Sequence, residues 1–391
     1  MANMGLDIVQ VSTILNNILA QAKLSPVSIV DTASFIAVAQ TTLQQGYDVI
    51  LKAVSQSFAD RSIVSIRPYE RKFKNLERSE QQWGNAVRKL NYIDSPMEDN
   101  EGWKLVEGQS IDMYKVRSPK VLQTNFYGQS TFQQAWSNFD YQLDIAFSNP
   151  QDFQNWYMGY VQNKADQREQ AHESLARTCL TNLIGGVIAG AGTGYVKVLS
   201  AYNAQNGTEL TATDVMKPEN FPGFLKFFVA LIKTYMKRMS ERSQLYQMNI
   251  TGKAITRHTP ASKARMYLYT PFIERAKTEV LTDIFHEKYI TLENFEEVNF
   301  WQSINPGDEM KINLTAGYLN TEDGSVTSKA VTNNYVLGTI FDMEACGYTV
   351  THRGGGATPY NPAGGYSNTF INMADRYYND FTEKAIVFTL E

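Results

Sequence analysis

The sequence predicts an α+β fold with a long charged arm inserted in mid-chain. A capped helical pattern begins at Asn149 and runs to residue 184, and strand patterns then alternate with further helical patterns. The span 61–120 differs from both, because 12 basic and 9 acidic residues make 21 of its 60 residues charged, or 35%, against 19% for the whole chain. These three observations indicate a folded body with an extension that needs a partner surface.

An N-terminal arm is predicted over residues 1–60. Its first part is helical in pattern until Ser25 and Pro26 interrupt it. Asp31 can then cap a second helical run over Thr32–Asp60, where apolar residues approximate one stripe. We therefore expect two helical pieces ahead of the charged span.

An extended loop is predicted over residues 61–125. A strand pattern at 63–66 and a second extended stretch at Met113–Leu122 would form the two limbs of a long hairpin. Its tip, Ser95–Gly102, contains a proline and three acids, which suits a solvated turn. Aromatic residues are nevertheless spaced through the span, so Arg67–Lys120 is predicted to lie on a neighbouring copy of the chain. The alternative is a solvated surface insertion.

A long helix is predicted over 149–184, within a segment that covers 126–185. Asn149 can cap this helix, Pro150 fits its first position, and Asp152 favours its positive end. Gly185 and Gly186 are predicted to end it. A helix of this length is longer than a compact domain requires, so we expect it to span the molecule.

A mixed lobe of helices and strands is predicted to follow. Helical patterns cover Pro218–Tyr246 and Pro271–His286. A loop rich in glycine and proline, Gly354–Gly365, precedes a closing strand at Glu383–Leu390. The other strands are predicted at Arg265–Thr270, Val298–Trp301, Met310–Ala316, Tyr335–Phe341 and Gly347–Thr351.

Composition excludes several classes of protein. The formal net charge is -4, from 36 basic and 40 acidic residues, so no overall cationic field draws the chain to nucleic acid. No segment approaches the roughly 20 apolar residues that cross a bilayer, and the first residues do not resemble a secretory signal. Cys179 and Cys346 are predicted to be buried small hydrophobes in a reducing environment. We expect a soluble intracellular product.

The sequence offers no catalytic set, cofactor motif or metal site. The four histidines are far apart and have no second ligand at metal spacing. Thr251-Gly252-Lys253 is not a phosphate loop, because Gln247 stands where the first glycine is required. Glu296 and Glu297 are adjacent on a predicted strand and would point to opposite faces. We predict that the chain is not an enzyme.

The order of these elements resembles a known family. Residues 62–74 and 127–180 carry the resemblance first, and the run 336–348, VLGTIFDMEACGY, is similar to a late strand and turn of that family. Thr358–Asn361, Gly364–Tyr366 and Arg376–Leu390 follow in the same order. The chain resembles major capsid proteins of tailed bacteriophages with the Hong Kong 97-like fold. Its pattern is most similar to those of small short-tailed phages of the phi-twenty-nine-like kind, which are podoviruses.

The resemblance implies an architecture. The N-terminal arm would be 1–60, the extended loop (E-loop) 61–125, the peripheral domain 126–185 with its spine helix 149–184, and the axial domain 186–365 with further peripheral-domain strands. Residues 366–391 would return as a strand to the peripheral domain.

The resemblance also implies a function and its partners. The chain would be a virion head protein that assembles in the host bacterial cytoplasm, as hexamers and pentamers, into an icosahedral or prolate shell around double-stranded DNA. Further partners would be a separate scaffolding protein, a portal protein and a decoration or head-fibre protein, with no membrane. The alternatives are the shell of an encapsulin-like nanocompartment and a soluble hydrolase.

The E-loop contains the candidate contacts between subunits. Trp83 and Trp103 are the predicted anchors, because aromatic side chains give a large contact area for little lost entropy. Basic residues of the same span could pair with acids of an adjacent subunit and set its register. These are Arg71, Lys72, Lys74, Arg78, Arg88 and Lys89.

Overall fold

Helices and strands are both abundant in the structure, a computed structural model that describes residues 72–78, 87–95, 97–127, 129–140, 150–280 and 295–391. This mixture confirms the α+β prediction. The predicted N-terminal arm, 1–60, lies outside the described residues. The described residues divide into two compact units, the first within the ranges Met1–Gly84, Gly128–Leu175 and Tyr348–Arg376, and the second within Asn85–Tyr127, Ala176–Gly347 and Tyr377–Glu391.

A three-stranded sheet organises the first unit. Its strands are β3 (Gln129–Phe139), β10 (Cys346–Ala357) and β11 (Tyr366–Asn379), in the order β10-β11-β3. Strand β11 pairs antiparallel with β3, from Tyr366 opposite Phe139 to Arg376 opposite Gln129. Side chains of β11 alternate between buried and partly exposed from Tyr366 to Met373, as expected where one face of a sheet is covered.

The long helix α1 (Pro150–Gly190) covers that sheet face with its first half. Tyr160 packs edge-on against Trp136 of β3 and donates its hydroxyl proton to Asn138. Lys164 lies 5.0 Å from the centre of the Trp136 ring, and His172 Nε2 lies 3.2 Å from Asp375 Oδ2 in a fully buried pair. Aromatic packing and buried polar pairs thus fix the helix on the sheet.

A five-stranded sheet forms the centre of the second unit. Its order is β4-β12-β9-β5-β6, where β4 is parallel to β12, β6 is parallel to β5, and the remaining pairs are antiparallel. All residues of the central strands β9 and β12 are buried, as expected for strands covered on both faces. The strands are β4 (Tyr195–Lys197), β5 (Ala264–Tyr269), β6 (Phe295–Val298), β9 (Val336–Asp342) and β12 (Ala385–Thr389).

Helices pack on one face of this sheet through a cluster of phenylalanines. Phe228 of the amphipathic helix α4 meets Phe272 and Phe388 edge-on, with ring centres 5.6 and 5.7 Å apart. The helices of this layer are α2 (Val198–Asn206), α3 (Ala212–Val215), α4 (Phe221–Ser240) and α5 (Thr270–Val280). Two further hairpins belong to the second unit, β1 (Val87–Tyr92) with β2 (Val121–Phe126) and β7 (Ile312–Leu319) with β8 (Val326–Asn333).

The long helix ends six residues later than predicted. Gly185 and Gly186 do not end it, and α1 continues to Gly190. A Cβ atom added at Gly185 would lie 2.9 Å from the Cβ of Ala316, and one at Gly186 would lie 2.3 Å from the Phe381 ring. These glycines therefore serve close packing within the helix rather than its termination. The predicted cap, Asn149, lies outside the described residues.

The first limb of the predicted hairpin, at 63–66, lies outside the described residues, and the return limb was misplaced. Residues 74–76 form a short 3-10 helix in the first unit, with Phe73 and Leu76 buried, because an apolar pair three residues apart outweighs the surrounding charge. The return limb starts at Val121 rather than Met113, since the Asp112 side chain accepts a hydrogen bond from the Tyr114 amide and forms a turn there.

The C-terminal segment, 366–391, contributes strands to two different sheets. Strand β11 pairs with β3 in the first unit, whereas β12 pairs with β9 and β4 in the second unit. The predicted single return strand of 366–391 is therefore two strands in two units, and its assignment to a peripheral domain stays a prediction. Residues 348–376 belong to the first unit, so the predicted segment 186–365, which was expected to include further peripheral-domain strands, contributes to both units. The sequence analysis missed β4, β8 and α2, and it placed only a loop where β10 ends.

Candidate assembly interface

The second unit carries a hairpin, residues 87–126, which we call the assembly hairpin. Six residues of β1 pair with six of β2, from Val87 opposite Phe126 to Tyr92 opposite Val121. Beyond the strands, residues 97–118 form a tip that contains a short 3-10 helix at Glu101–Lys104. An ion pair between Lys104 and Asp99 lies within one limb of the tip, and a second, between Arg117 and Glu98, joins the two limbs.

Apolar side chains are exposed along this hairpin to an unusual degree. Among the described residues, twelve of seventeen exposed large hydrophobic side chains lie between residues 90 and 127, which concentrates this surface in one element. Trp103 at the tip is 87% exposed. The twelve are Leu90, Tyr92, Met97, Trp103, Leu105, Val106, Ile111, Met113, Tyr114, Val116, Val121 and Tyr127.

The two strands present one face inward and one outward. Asn91, Leu122 and Phe126 are at least half-buried, and the Phe126 ring lies 5.3 Å from that of Tyr378 in the same unit. The opposite, outer face is exposed and consists of Arg88, Leu90, Tyr92, Val121, Gln123 and Asn125. Because side chains alternate along a strand, Tyr92 and Val121 form a cross-strand pair on that outer face. An outer face with three apolar side chains is unlike that of a solvated hairpin.

Lys89 anchors the inner face to its own unit. Its ammonium group lies 2.9 Å from Asp380, 3.2 Å from Glu344 and within hydrogen-bond distance of Glu383. Burial alone would lower the pKa of Lys89, but the carboxylates of Asp380 and Glu383 raise it above its usual value. Lys89 therefore stays charged and holds strand β1 on three carboxylates.

Arg257 completes this group of charges. Its guanidinium lies 2.6 Å from Glu383, which keeps two cations beside that carboxylate. Burial raises the pKa of Glu383, and the two cations oppose this effect. Burial would likewise raise the pKa of Glu344, yet Lys89 lowers it below its usual value. The base of the hairpin thus rests on a paired, largely buried charge cluster.

A second anchor lies just before the tip. Asp94 accepts a hydrogen bond of 2.7 Å from the Thr256 amide and forms an ion pair with Arg242. Hydrogen bonding from Thr256 lowers the pKa of Asp94, and Arg242 adds to this effect. With Lys89 and Asp94 both fixed, the hairpin is held up to residue 94, and its exposed apolar residues continue beyond that point.

The sequence model of a family described as Phi29-like phage major capsid protein matches residues 13–389. The chain belongs to this family. The match confirms the resemblance to phage capsid proteins, and it does not favour the nanocompartment and hydrolase alternatives. The protein is a structural component of a phage head that forms a shell, a kind of protein not known to be an enzyme.

Solved structures of phage particles resemble the capsid protein. The capsid of Staphylococcus phage Andhra matches at 12% identity over 83% of this chain and 85% of that chain, with a TM-score of 0.49. The capsid of Cyanophage P-SCSP1u matches at 12% identity over 84% and 90%, with a TM-score of 0.46. A structure of the head fibre and inner core protein of bacteriophage P68 matches at 10% identity over 85% and 87%, with a TM-score of 0.48. No curated protein sequence matches the chain.

The predicted contact residues of the capsid protein occupy different environments. Trp103 and Arg88 are exposed on the assembly hairpin, at its tip and on its outer face. Lys89, on the same strand, points inward and pairs with its own chain, so we reassign it as an anchor. The remaining basic residues lie elsewhere: Lys72 and Lys74 are exposed and Arg78 is half-buried in the first unit, and Arg71 and Trp83 lie outside the described residues.

Sequence analysis missed the outer face and the anchor carboxylates. Leu90, Tyr92 and Val121 alternate with inward residues, so the two-residue period of a strand could have identified them. The strand period could not have identified the carboxylates of Asp380, Glu383 and Glu344. They are far from Lys89 in the sequence, 294 positions for Glu383, and only the fold brings them together.

The described part of the capsid protein contains no group of three or more side chains suited to hold a metal ion. Of the four histidines, His172 pairs with Asp375 inside the first unit. Among the described helices, none combines the length and the apolar character that crossing a membrane requires.

Proposed function

We propose that the capsid protein builds its shell by laying the outer face and tip of the assembly hairpin on a neighbouring copy of itself. The observation that carries this proposal is the concentration of exposed apolar side chains between residues 90 and 127. Soluble monomers rarely expose large contiguous apolar surface, and such surface marks contact with another molecule. A second copy is the partner that a shell protein always encounters.

The physical design of the hairpin suits contacts around a symmetry axis. The hairpin is fixed at Lys89 and Asp94, whereas its tip has no apolar cover within the described residues of its own chain. A patch that meets a different patch on the next copy makes a heterologous contact, which closes into rings when the rotation allows. Hexamers and pentamers are such rings, and they are the proposed building units of the shell.

Different side chains contribute differently to this contact. Trp103, Tyr114 and Tyr92 are the proposed anchors, because buried aromatic residues account for much of the energy of an interface. Arg88 on the outer face, with Lys72 and Lys74 in the first unit, would set register, since exposed ion pairs contribute only about 0–1 kcal/mol. The contact is repeated on every copy, so modest single contacts add over the shell.

The enclosed cargo is proposed to be double-stranded DNA. Membership of a phage capsid family supports this cargo, and the net charge of -4 would let the genome pack without adhering strongly to the lining. A separate scaffolding protein, a portal protein and a decoration or head-fibre protein remain proposed partners. Assembly in the cytoplasm of the bacterial host is proposed on the same ground.

Substitution of the outer face tests the proposal. A variant with Leu90→Ser, Tyr92→Ser and Val121→Ser keeps both anchors, so we expect it to fold but to form closed particles at a yield reduced by at least about tenfold. The matched control replaces three exposed apolar residues away from the hairpin, Leu245→Ser, Ile304→Ser and Val326→Ser. Electron microscopy and sedimentation measure particle yield. Equal yields for the two variants would refute the role of the outer face.

A further inference from the structure

The two cysteines of the chain meet inside the second unit. Cys179 lies on α1 and Cys346 at the start of β10, 167 positions apart in sequence, yet their sulfur atoms are 3.3 Å apart. Both side chains are buried, at 2% and 0% exposure. They are the only cysteines among 391 residues, so each has only the other as a partner for a disulfide within the chain.

The same short segment holds both cysteines in place. Asn379 donates its side-chain N–H to the carbonyl of Cys179 at 2.9 Å, and the Asp380 amide donates to the carbonyl of Ala345 at 2.7 Å. Cys179 Sγ also lies 3.2 Å from the carbonyl oxygen of Tyr378, to which the thiol donates. Residues 378–380 thus fix the helix on one side and the strand on the other.

Close packing further restricts the strand beside Cys346. A Cβ atom added at Gly347 would lie 2.9 Å from the Tyr378 hydroxyl oxygen, so this part of β10 approaches Tyr378 as closely as a residue without a side chain allows. A disulfide needs sulfur atoms about 2.05 Å apart. The thiols therefore need to approach by little more than 1 Å, a distance that side-chain rotation and small adjustments cover.

From this contact we propose that Cys179 and Cys346 form a redox-closable link that staples α1 to β10 when the capsid protein meets an oxidising medium. Each thiol gives up its hydrogen and a sulfur–sulfur bond forms. The two electrons and two protons pass to a low-molecular-weight disulfide such as oxidised glutathione, which becomes two thiols. In a reducing cytoplasm the reverse reaction keeps the pair open, and release of the particle from the cell closes it.

Closure would stabilise the subunit through its unfolded state. The link joins positions 167 residues apart, and crosslinks that close long loops remove the most freedom from the unfolded chain. We expect the oxidised subunit to melt several degrees above the reduced one. A Cys346→Ser variant keeps the shape of the site but has a single thiol, so its melting temperature should not respond to reductant.

The decisive experiment compares the folded and the unfolded chain. The full chain is unfolded in urea that contains fixed concentrations of oxidised and reduced glutathione, and half is then diluted into native buffer that contains both at the same concentrations. Alkylation and mass spectrometry measure the closed fraction. We expect the native chain to favour closure over the unfolded chain by at least about tenfold, because contact raises the effective concentration of one thiol at the other.

A second measurement covers chains that fold in the cell. Capsid protein purified from cells with an oxidising cytoplasm should have no free thiols, should be 2 Da lighter than the reduced chain, and should recover two thiols with reductant. A native chain that closes no more readily than the unfolded one would overturn the proposal. So would two free thiols in the oxidised preparation, mixed disulfides with glutathione, or disulfides between chains.

Discussion

Two tryptophans of the capsid protein occupy opposite environments. Trp301 is 1% exposed and donates its indole N–H to the carbonyl of Val336 at 2.9 Å, so it belongs to the core of the second unit. Trp103 is 87% exposed at the tip of the assembly hairpin. Burial of a large aromatic side chain is favourable, so Trp301 stabilises the subunit, and we propose that Trp103 stabilises the shell.

Substitution to alanine should separate these roles. Trp301→Ala should lower the free energy of unfolding by about 3–5 kcal/mol, because it leaves a cavity and an unpaired carbonyl. Trp103→Ala should change it by less than about 0.5 kcal/mol but raise the concentration at which particles form. Urea denaturation of the subunit and light scattering during assembly measure the two effects. A subunit destabilised by Trp103→Ala as strongly as by Trp301→Ala would contradict this assignment.

Neighbouring basic residues on β1 provide a second comparison. Lys89 is 18% exposed among carboxylates of which Asp380 is 1% exposed, whereas Arg88 faces outward. Lys89→Met should destabilise the subunit by about 3 kcal/mol or more, because it removes the cation that pairs with the buried Asp380 carboxylate. Arg88→Met is the control and should cost less than about 0.5 kcal/mol. Similar unfolding midpoints for the two variants would show that Lys89 is not an anchor.

At the scale of elements, the glycines of α1 differ in what surrounds them. Gly186→Ala would drive a methyl group into the Phe381 ring, so we expect a loss of about 1–3 kcal/mol of stability despite the better helix propensity of alanine. At Gly159, in the same helix, no described atom outside the adjoining helix backbone lies within 4 Å of an added Cβ, so Gly159→Ala should stabilise by up to about 1 kcal/mol. Thermal denaturation distinguishes them. A gain in stability from both substitutions would contradict the close packing at Gly186.

The hairpin anchors should respond to acid. The pKa values of Asp94 and Glu344 are lowered from their usual 3.8 and 4.5, so each group stabilises the fold above its usual value and loses that effect as the pH falls through the lowered value. The raised pKa of Glu383 acts in the opposite sense, since its contribution is lost as the pH rises through that raised value. Loss of the first two contributions should free the hairpin base in acid.

Hydrogen exchange at the Thr256 amide, which donates to Asp94, measures this release. After correction for intrinsic rates, exchange should accelerate below about pH 4, while the amide of Val387, bonded to the carbonyl of Gly194 in the core, stays protected. Asp94→Asn should weaken the pH dependence at Thr256. A pH profile of Thr256 that follows that of Val387 would argue against a separate anchor.

Sequence pattern predicted the helices and strands whose apolar residues repeat along their own sequence. The long helix, α4 and the central strands were found because their apolar residues repeat at the period of their own structure. The helix end at Gly185 was wrong because the reason for glycine there, the approach of Ala316, comes from a distant strand. Trp103 and Arg88 were identified as exposed candidates from charge and aromatic spacing, but the inward orientation of Lys89 depends on carboxylates that only the fold places beside it.

At the scale of the whole molecule, the two parts of the hairpin have different purposes. The base is held by charges of its own chain, and the tip exposes apolar side chains that the described part of the chain does not cover. A subunit built in this way should fold alone, and the apolar side chains of its tip should stay exposed until another copy covers them. We therefore expect the shell to be stabilised collectively, because each copy would both cover a neighbour and be covered by one.

Removal of the hairpin tip tests this claim most directly. The Ile93 amide donates to the carbonyl of Lys120 at 2.9 Å, so a short Asn-Gly-containing turn can replace residues 95–118 while both anchors and both strands remain. We expect the shortened protein to unfold at the same urea concentration as the full chain and to form no closed particles by electron microscopy. Closed particles at the yield of the full chain would contradict the account.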